Sequence, residues 1–279
     1  MTDRYAVIGN PIGHSKSPLI HAEFARQTGQ DLCYEALLAP LDGFVATARA
    51  FAAAGGRGLN VTVPFKLEAF ALADRRSPRA EAAGAVNTLA FGPDGIFGDN
   101  TDGAGLVADL TLNLGVPLKN RRVLLAGAGG AARGAILPLL LAGPTSLTIA
   151  NRTVARAQAL AEEQFGQCPA GVMLAACGFD ELAGQCFDLV INATAASLAD
   201  QAPPLPAGIY GAESLAYDMM YGKGLTPFLR QARTQGAGRL ADGLGMLVEQ
   251  AAESFLLWRG VRPSTGEVLR TLRAMTGGA

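Results

Sequence analysis

Short apolar runs alternate with amphipathic stretches along the first hundred residues, which is the rhythm of an α/β layer. In chain order, the pattern predicts strand 5–9, helix 19–28, strand 33–38, helix 43–53 and strand 58–63. A helix at about 65–73 follows, and the extended runs 85–91 and 96–98 flank a turn at Pro93, Asp94 and Gly95. These elements predict an N-terminal α/β unit built on a mixed sheet.

A helix predicted at 105–114 leads into a second series in which strands and helices again alternate. This series comprises strand 122–126, helix 131–142, strand 146–150, helix 154–165, strand 188–192 and strand 215–218. Such alternation favours a parallel sheet of the Rossmann type. Beyond Asp242 only long helical segments follow, and we expect them to pack back on the N-terminal unit. The predicted domains are therefore residues 1–102 plus 243–279, which bind substrate, and residues 103–242, which bind a dinucleotide.

The strand at 122–126 runs into a glycine-rich turn with the dinucleotide-binding pattern G-x-G-x-x-A, formed by Gly127, Gly129 and Ala132. In this pattern the first glycine allows a tight turn, and the second lets the backbone approach a pyrophosphate. The alanine permits close packing of helix on strand. The helix N-terminus would then face the anion. A turn of the same composition that binds no ligand is the alternative.

The end of the next strand indicates which dinucleotide binds. An NAD site usually carries an acidic residue there, which accepts a hydrogen bond from the ribose 2′-hydroxyl. This chain instead has Asn151 and Arg152, with Arg156 one helical turn further on. Arginine forms charge-assisted hydrogen bonds to a phosphate, so the sequence favours NADP. The alternative is that the two arginines only coat a solvated helix start, where cations oppose the helix dipole unless an anion binds.

Composition narrows the range of partners. The chain has 279 residues, of which 49% are hydrophobic and 17% charged, enough for two modest cores. A net charge of −1 without a basic block disfavours nucleic acid and anionic membranes, which leaves a small-molecule substrate. The four cysteines and two histidines lack metal-site spacing, so we expect no metal and small, reduced core cysteines. Without a signal-peptide pattern or a long apolar run, we predict a cytoplasmic monomer or homodimer.

Polar residues gather at or just after the strands of the N-terminal unit. They are Asn60, Lys66, Asn87 and Asp102. Open α/β sheets collect ligand-binding groups at strand ends, and a lysine at such a place can transfer protons. Taken singly, Lys66 could instead be a surface residue at a helix start, and Asp102 could be a helix N-cap.

Two serines follow the first predicted strand, where the chain enters a helix. Ser15 and Ser17, together with open helix N–H groups, could bind a carboxylate. The alternative is that Ser17 caps the helix ahead of Pro18. His14 and His21 flank the serines, and we expect both to be structural because neither is paired with an evident acid.

In chain order the motifs resemble those of the shikimate dehydrogenase family, from Gly9 to Ala251. They are GNPIGHSKSP, NVTVPFK, GAVNTL, GDNTD, GAGGAARG, NRT, YDMMYG and DGLGMLVEQA. The resemblance implies reversible, NADPH-dependent reduction of 3-dehydroshikimate to shikimate, on the route to chorismate and the aromatic amino acids, without a metal.

The same resemblance implies a role for individual residues. Lys66 and Asp102 would form the catalytic pair at the reacting oxygen. The substrate would be bound by Ser15, Ser17, Asn60, Thr62, Asn87, Tyr221 and Gln250. The cofactor would be bound by Gly127, Ala128, Gly129, Gly130, Ala131, Asn151, Arg152, Thr153, Arg156, Thr194, Met219, Gly243 and Met246.

The sequence departs from the family pattern beside the cofactor, where Ala195 and Ser197 stand in place of the usual serine and glycine. Two other functions stay open. A quinate/shikimate dehydrogenase would accept an additional substrate hydroxyl and often NAD, which the Asn-Arg-Thr run disfavours. A non-catalytic NADP sensor would not need both Lys66 and Asp102.

Overall fold

The first of two sheets is mixed and has six strands. The structure, a computed structural model, describes residues 2–196 and 200–276. The strands are β1 (Asp3–Gly9), β2 (Leu32–Leu38), β3 (Gly56–Val61), β4 (Arg75–Arg76), β5 (Thr88–Gly92) and β6 (Gly95–Asp99), hydrogen-bonded in the order β2-β1-β3-β5-β6-β4. β1 pairs in parallel with β2 and β3, whereas β5 runs antiparallel to β3 and β6. The ends of β3 and β6 and the start of β5 therefore meet at one edge of the sheet.

Helices follow most strands of this part of the chain, and the first two connect the parallel strands β1, β2 and β3. They are α1 (Ser17–Thr28), α2 (Phe44–Ala53), α3 (Lys66–Leu72), α4 (Pro78–Ala83) and α5 (Asp102–Ala108). The predicted helix at 105–114 is realised as α5, which continues into a π-helical segment at Asp109–Asn113. A buried core that includes Ile8, Phe44 and Leu59 packs against the sheet.

The second sheet is entirely parallel. Its strands are β7 (Arg122–Ala126), β8 (Ser146–Ala150), β9 (Met173–Cys177), β10 (Phe187–Asn192), β11 (Tyr210–Asp218) and β12 (Arg239–Asp242), in the order β12-β11-β10-β7-β8-β9. This is the Rossmann order, in which the chain reverses its direction of travel between β7 and β10. Adjacent Leu124 and Leu125 face different buried cores, which explains the unbroken apolar run of β7.

The remaining helices accompany and follow these strands. They are α6 (Gly130–Leu141), α7 (Val154–Phe165), α8 (Pro227–Thr234), α9 (Leu244–Arg259) and α10 (Gly266–Thr276). None of the helices described is long and apolar enough to cross a membrane.

The chain divides into two units at boundaries that differ from those of the sequence prediction. One unit runs up to Gly105 and includes Val248–Val268; the other comprises Leu106–Leu247 and the chain from Leu269 onward. The expectation that all of 243–279 joins the first unit is therefore corrected at both ends. The physical reason in the last helix is its contact with β12, since Arg273 and Asp242 form an ion pair at 3.7 Å.

The cysteines also differ from expectation. Cys33 and Cys186 are exposed, and Cys168 and Cys177 are partly exposed, all as free thiols. Cys33 lies on β2 at the edge of the first sheet, where alternate side chains face solvent. The prediction of core cysteines is wrong for Cys33 and Cys186, whereas Cys168 and Cys177 pack against buried cores while remaining partly exposed.

Candidate active site

Two ionic side chains meet beyond the end of β3. Lys66 is the first residue of α3 and Asp102 the first of α5, and Lys66 Nζ donates to Asp102 Oδ2 at 2.6 Å. Their side chains remain 31% and 18% exposed, so the pair borders accessible space. An accessible ammonium group can donate a proton and stabilise developing negative charge. The structure thus brings together the two residues predicted to be the catalytic pair.

Asn87 holds the free oxygen of this carboxylate. Its Nδ2 donates to Asp102 Oδ1 at 2.9 Å and to Thr101 Oγ1 at 2.9 Å. Its Oδ1 accepts from the Thr101 N–H at 2.9 Å and from the Thr88 hydroxyl at 2.9 Å. Because a backbone N–H can only donate, these contacts determine which way the amide faces. Asn87 is therefore a buried bridge whose amide nitrogen faces the ion pair.

Gln250 reaches the same cluster from α9. Its Oε1 lies 3.5 Å from both Asn87 Nδ2 and Thr101 Oγ1. Gly105 makes the approach possible, because a Cβ at that position would lie 2.6 Å from the backbone nitrogen of Gln250. Glycine at position 105 thus lets α5 pass close to the helix that carries Gln250.

Asn60 is linked to Asn87 through the hydroxyl of Thr88. It is 6% exposed, its Oδ1 accepts from the Tyr34 hydroxyl at 2.7 Å, and its Nδ2 donates to Ser254 at 2.8 Å and to Thr88 at 3.1 Å. Both amide hydrogens are thus bonded within the protein. These contacts favour a supporting role for Asn60 over the direct substrate binding that the sequence predicts.

Ser15 and Ser17, predicted to bind a carboxylate, follow β1, and Thr62, predicted to bind a ring hydroxyl, follows β3. The Ser15 hydroxyl accepts from the Ser17 N–H at 3.2 Å. Ser17 does not cap α1, contrary to the alternative considered above, because the helix already includes it and Lys16 is the capping residue. Thr62 is half-buried directly after β3, and a Cβ on Gly9 would lie 2.5 Å from its methyl carbon. Glycine at position 9 therefore brings the ends of the two strands together.

His21 is fully buried and has a structural environment. Its ring stacks on Tyr34 with centroids 4.1 Å apart and planes inclined by 4°. Burial lowers the pKa of His21 to about 3, and neither ring nitrogen has a hydrogen-bond partner among the described residues. Burial also raises the pKa of Tyr34 well above its ordinary value, an effect that a hydrogen bond with Ser17 opposes. Both rings are therefore neutral near pH 7, and Tyr34 keeps the proton that it donates to Asn60.

The glycine-rich turn after β7 has the geometry of an anion-binding loop. Gly127 adopts φ 116°, and a Cβ there would lie 3.1 Å from the Ala193 backbone. At Gly129 and Gly130 a Cβ would meet nothing within 4 Å, so the backbone at the start of α6 faces open space. Ala132 is fully buried. Glycines that expose a helix N-terminus in this way fit a pyrophosphate, with Ala128 and Ala131 as flanking residues.

Two arginines stand at the end of β8 and the start of α7. Arg152 and Arg156 are exposed, and neither takes part in an ion pair within residues 2–196 and 200–276. The Asn151 amide donates to the Thr153 carbonyl at 3.0 Å and so braces the turn between them. Exposed, unpaired guanidinium groups fit the 2′-phosphate of NADP.

Further predicted cofactor residues follow β10, β11 and β12, whose carboxyl ends lie side by side. The Thr194 hydroxyl donates to Asn192 Oδ1 at 2.7 Å, and the Met219 N–H donates to the Asn192 carbonyl at 3.0 Å. A Cβ on Gly243 would lie 2.1 Å from the Met219 carbonyl oxygen, so this turn requires glycine. Ala195 is exposed, whereas Ser197 lies outside the described residues.

Met246 and Tyr221 complete the predicted set in this unit. Met246 is half-buried in the first turn of α9 and packs against the core that includes Leu106 and Tyr217. Tyr221 is half-buried, and burial together with the charge of Asp242 raises its pKa. It belongs to the second unit, whereas Ser15 and Ser17 belong to the first. No group of three or more histidine, cysteine or acidic side chains suited to a metal occurs among the described residues.

Several residues at the site were missed from the sequence. Thr88, Ser254 and Tyr34 surround Asn60 and Asn87, and only the first belongs to a motif singled out above, GAVNTL. The pairing of β3 with β5, which places Asn60 opposite Thr88, is not visible in a local pattern. The hydroxyl residue Thr88 in GAVNTL, directly after Asn87, was the one sign in the sequence of this cluster.

Protein families match three segments of the chain. Residues 7–89 match the shikimate dehydrogenase substrate binding domain, and residues 109–199 match shikimate / quinate 5-dehydrogenase. Residues 243–273 match the shikimate 5′-dehydrogenase C-terminal domain.

Individual relatives cover almost the entire chain. The shikimate dehydrogenase (NADP(+)) of Aromatoleum aromaticum is 70% identical, over 99% of this chain and 99% of its own. An Ael1 enzyme from Pseudomonas putida, known from a crystal structure, shares 56% sequence identity with this chain. The two structures superpose with a TM-score of 0.91 over 97% of this chain and 98% of that one. The shikimate 5-dehydrogenase of Thermus thermophilus, in complex with NADP(H) and shikimate, is 37% identical with a TM-score of 0.84, covering 98% and 99%.

Proposed function

This chain belongs to the shikimate dehydrogenase family, and from that membership we propose that it catalyses the reversible, NADPH-dependent reduction of 3-dehydroshikimate to shikimate. It is an NADP-dependent oxidoreductase. The observation that carries the specific reaction is the Lys66–Asp102 contact of 2.6 Å, supported by Asn87. A ketone reduction needs a positioned proton donor of this kind.

In the proposed reaction Lys66 acts on the substrate oxygen. Hydride addition to a ketone carbon places negative charge on the oxygen, which then requires a proton. The Lys66 ammonium stabilises that charge and supplies the proton. Asp102 orients Lys66 through the contact at Oδ2. In the direction of shikimate oxidation the same lysine, when neutral, accepts the hydroxyl proton.

The proposed substrate contacts divide by chemistry. The Ser15 and Ser17 hydroxyls and Tyr221 bind the carboxylate, and Thr62, Asn87 and Gln250 bond the ring hydroxyls. Asn87 is suited to this because its nitrogen side already faces Asp102. Asn60 supports this group from behind, since both of its amide hydrogens are used within the protein.

NADPH, when bound, supplies the hydride. We propose that the backbone at Gly127–Ala131 binds its pyrophosphate and that Asn151, Arg152, Thr153 and Arg156 surround the adenosine 2′-phosphate. Thr194, Met219, Gly243 and Met246 would contact the nicotinamide side. The open backbone at Gly129 and Gly130 and the exposed arginines support this assignment, as do the cofactor names of the relatives.

The proposal includes a place in the biosynthesis of chorismate and the aromatic amino acids, and a cytoplasmic location as a monomer or homodimer. The name of the relative that is 70% identical supports the reaction on which this placement rests. The test is a spectrophotometric assay of shikimate and quinate, each with NADP⁺ and NAD⁺.

We expect reduced cofactor to form fastest with shikimate and NADP⁺. Comparable rates with quinate and NAD⁺ would instead indicate a quinate/shikimate dehydrogenase. NADP binding without any turnover of shikimate would indicate a sensor and would refute the proposed reaction.

A further inference from the structure

Thr88 is a buried residue of β5 that directly contacts Asn87. Its side chain is 0% exposed, and its hydroxyl donates to Asn87 Oδ1 at 2.9 Å. The oxygen of the Thr88 hydroxyl also accepts a hydrogen bond from Asn60 Nδ2 at 3.1 Å. The antiparallel register of β3 and β5 places Thr88 opposite Asn60, so the backbone fixes this meeting of side chains. The hydroxyl therefore joins two amides that lie behind the ion pair.

The Thr88 hydroxyl has one hydrogen and lies 2.9 Å from Asn87 Oδ1 and 2.8 Å from Ser254 Oγ, which itself donates to the Gln250 carbonyl at 3.1 Å. With the Thr88 hydrogen on Asn87, the contacts run in one direction. Tyr34 donates to Asn60, Asn60 to Thr88, Thr88 to Asn87, and Asn87 to Asp102. The Thr101 N–H, which can only donate, occupies the remaining side of Asn87 Oδ1. If the Asn87 amide turned over, its carbonyl oxygen would face the Asp102 carboxylate, and its NH₂ group would face the Thr101 N–H. Both encounters are repulsive.

We propose that Thr88 is a positioning residue: its hydroxyl holds the Asn87 amide with Nδ2 towards Asp102 and thereby fixes the carboxylate that pairs with Lys66. This inference rests on the proposed function and extends it to a residue that touches neither substrate nor cofactor. It predicts that loss of one buried hydroxyl weakens both the proposed Asn87 contact to substrate and the orientation of Asp102.

A purely structural role for Thr88 would have different consequences, and Ser254 provides the matched control. Ser254 is also fully buried, and its hydroxyl contacts Thr88 at 2.8 Å and Asn60 at 2.8 Å. Its loss removes hydrogen bonds from the same cluster but leaves the bond from Thr88 to Asn87 in place. Comparing substitutions at Thr88 and Ser254 therefore distinguishes an effect on the stability of the cluster from an effect on the orientation of the Asn87 amide.

The experiment compares Thr88→Val, Thr88→Ser and Ser254→Ala with the wild-type protein, using shikimate and NADP⁺. Thr88→Val keeps the side-chain shape and removes the hydroxyl. We expect it to lower kcat/KM for shikimate by about 10- to 100-fold, with the KM for NADP⁺ changed by less than about twofold. Thr88→Ser should restore most of the loss. Ser254→Ala should lower the melting temperature similarly but lower kcat/KM clearly less than Thr88→Val does.

A double-mutant cycle tests whether Thr88 affects kcat/KM through Asn87. If Thr88 acts through Asn87, adding Thr88→Val to Asn87→Ala should cause little further loss of kcat/KM. Thr88→Ala replaces Thr88→Val if the valine variant does not fold, because it removes the hydroxyl without adding a methyl group beside Asn60.

Three results would overturn the inference: full kcat/KM in a folded Thr88→Val or Thr88→Ala protein, equal losses in Ser254→Ala, or additive losses in the cycle. An inactive wild-type protein would refute the proposed function itself, and this outcome is visible in the same assay.

Discussion

The side-chain atoms of Asp102 and Asn87 beside Lys66 have defined partners, and these contacts hold the lysine in place. Asp102 uses one oxygen for Lys66 and the other for Asn87. Asn87 in turn is oriented by a backbone N–H and a hydroxyl. An ion pair that is only partly buried contributes little by itself to the stability of the fold. The chain of donors therefore positions the ammonium group rather than chiefly stabilising the fold.

At Arg152 the account predicts a change of cofactor preference. Arg152→Ser should raise the KM for NADP⁺ by about 10- to 100-fold, because a charge-assisted bond to the 2′-phosphate is lost. The KM for NAD⁺, which lacks that phosphate, should change by less than about twofold. Steady-state kinetics with both cofactors measure this. Arg233→Ser, an exposed arginine near the end of α8, is the control; equal increases for both cofactors would refute the phosphate contact.

Sequence motifs singled out Lys66, Asp102 and Asn87 because lysine, aspartate and asparagine at strand ends are conspicuous. They did not locate Tyr34, Thr88 or Ser254, which are common residue types in apolar surroundings. Their contacts depend on the register of β3 with β5 and on the packing of α9, both of which are non-local. The roles assigned to the site residues remain predictions.

Among the elements, the π-helical segment at Asp109–Asn113 is joined to β11 by a buried hydrogen bond. Asp109 is 1% exposed, and Tyr217, fully buried, donates to its Oδ2 at 2.7 Å. Burial raises the pKa of Tyr217, as does the charge of Asp109, so the phenol stays protonated and remains a donor. A Cβ on Gly245 would overlap Asp109 Oδ1 at 1.9 Å. The first turn of α9 is thus packed directly on this carboxylate.

Removal of this donor should destabilise the protein. Tyr217→Phe should lower the free energy of unfolding by about 1–3 kcal/mol, because a buried carboxylate loses a hydrogen bond. Urea denaturation at neutral pH measures the difference. Tyr210→Phe, on the same strand, is the matched control, since the Tyr210 hydroxyl makes no hydrogen bond to the described residues. A loss no larger than that of the control would contradict the assigned role.

Periodicity predicted the long elements and missed the short ones. β4 has two residues and β12 four, too few for alternation to be recognised, and both form because a neighbouring strand offers a partner. β9 is a partly exposed edge strand. α4 and α8 were also missed, although Ser77-Pro78 and Thr226-Pro227 are helix-start signals with side-chain caps in the structure.

For the whole molecule, local patterns predicted two α/β units, whereas the order of the strands required either the family resemblance or the structure. The fingerprint at Gly127 predicted the Rossmann sheet, and the hairpin predicted the mixed one. The last helix could not be assigned from its own amphipathic pattern, because that pattern does not say which unit covers its apolar face. The structure places the helix from Leu269 onward in the second unit, where Arg273 forms an ion pair with Asp242 of β12.

Global stability should depend on pH through His21. Its pKa is about 3 in the folded chain, because of burial, against about 6.5 when unfolded. Below pH 6.5 the unfolded chain therefore binds a proton that the folded chain does not, and stability falls as the pH decreases towards 3. The loss approaches about 1.4 kcal/mol per pH unit.

Denaturation between about pH 6 and pH 5 measures this slope above the range in which most carboxylates titrate. His21→Phe, which keeps a ring against Tyr34, should reduce the slope. His14→Phe, a histidine substitution at an exposed position, is the control. An equal slope in the wild-type and His21→Phe proteins would show that His21 is not the group responsible.

The proposed reduction of 3-dehydroshikimate depends on proton transfer by Lys66, which Asp102 holds. The most direct test is kcat for Lys66→Ala, measured with saturating shikimate and NADP⁺ beside Lys119→Ala, an exposed lysine of the second unit. The account predicts that Lys66→Ala lowers kcat by about 100- to 10,000-fold, with a smaller effect on the KM for shikimate. A folded Lys66→Ala protein with nearly wild-type kcat would contradict it.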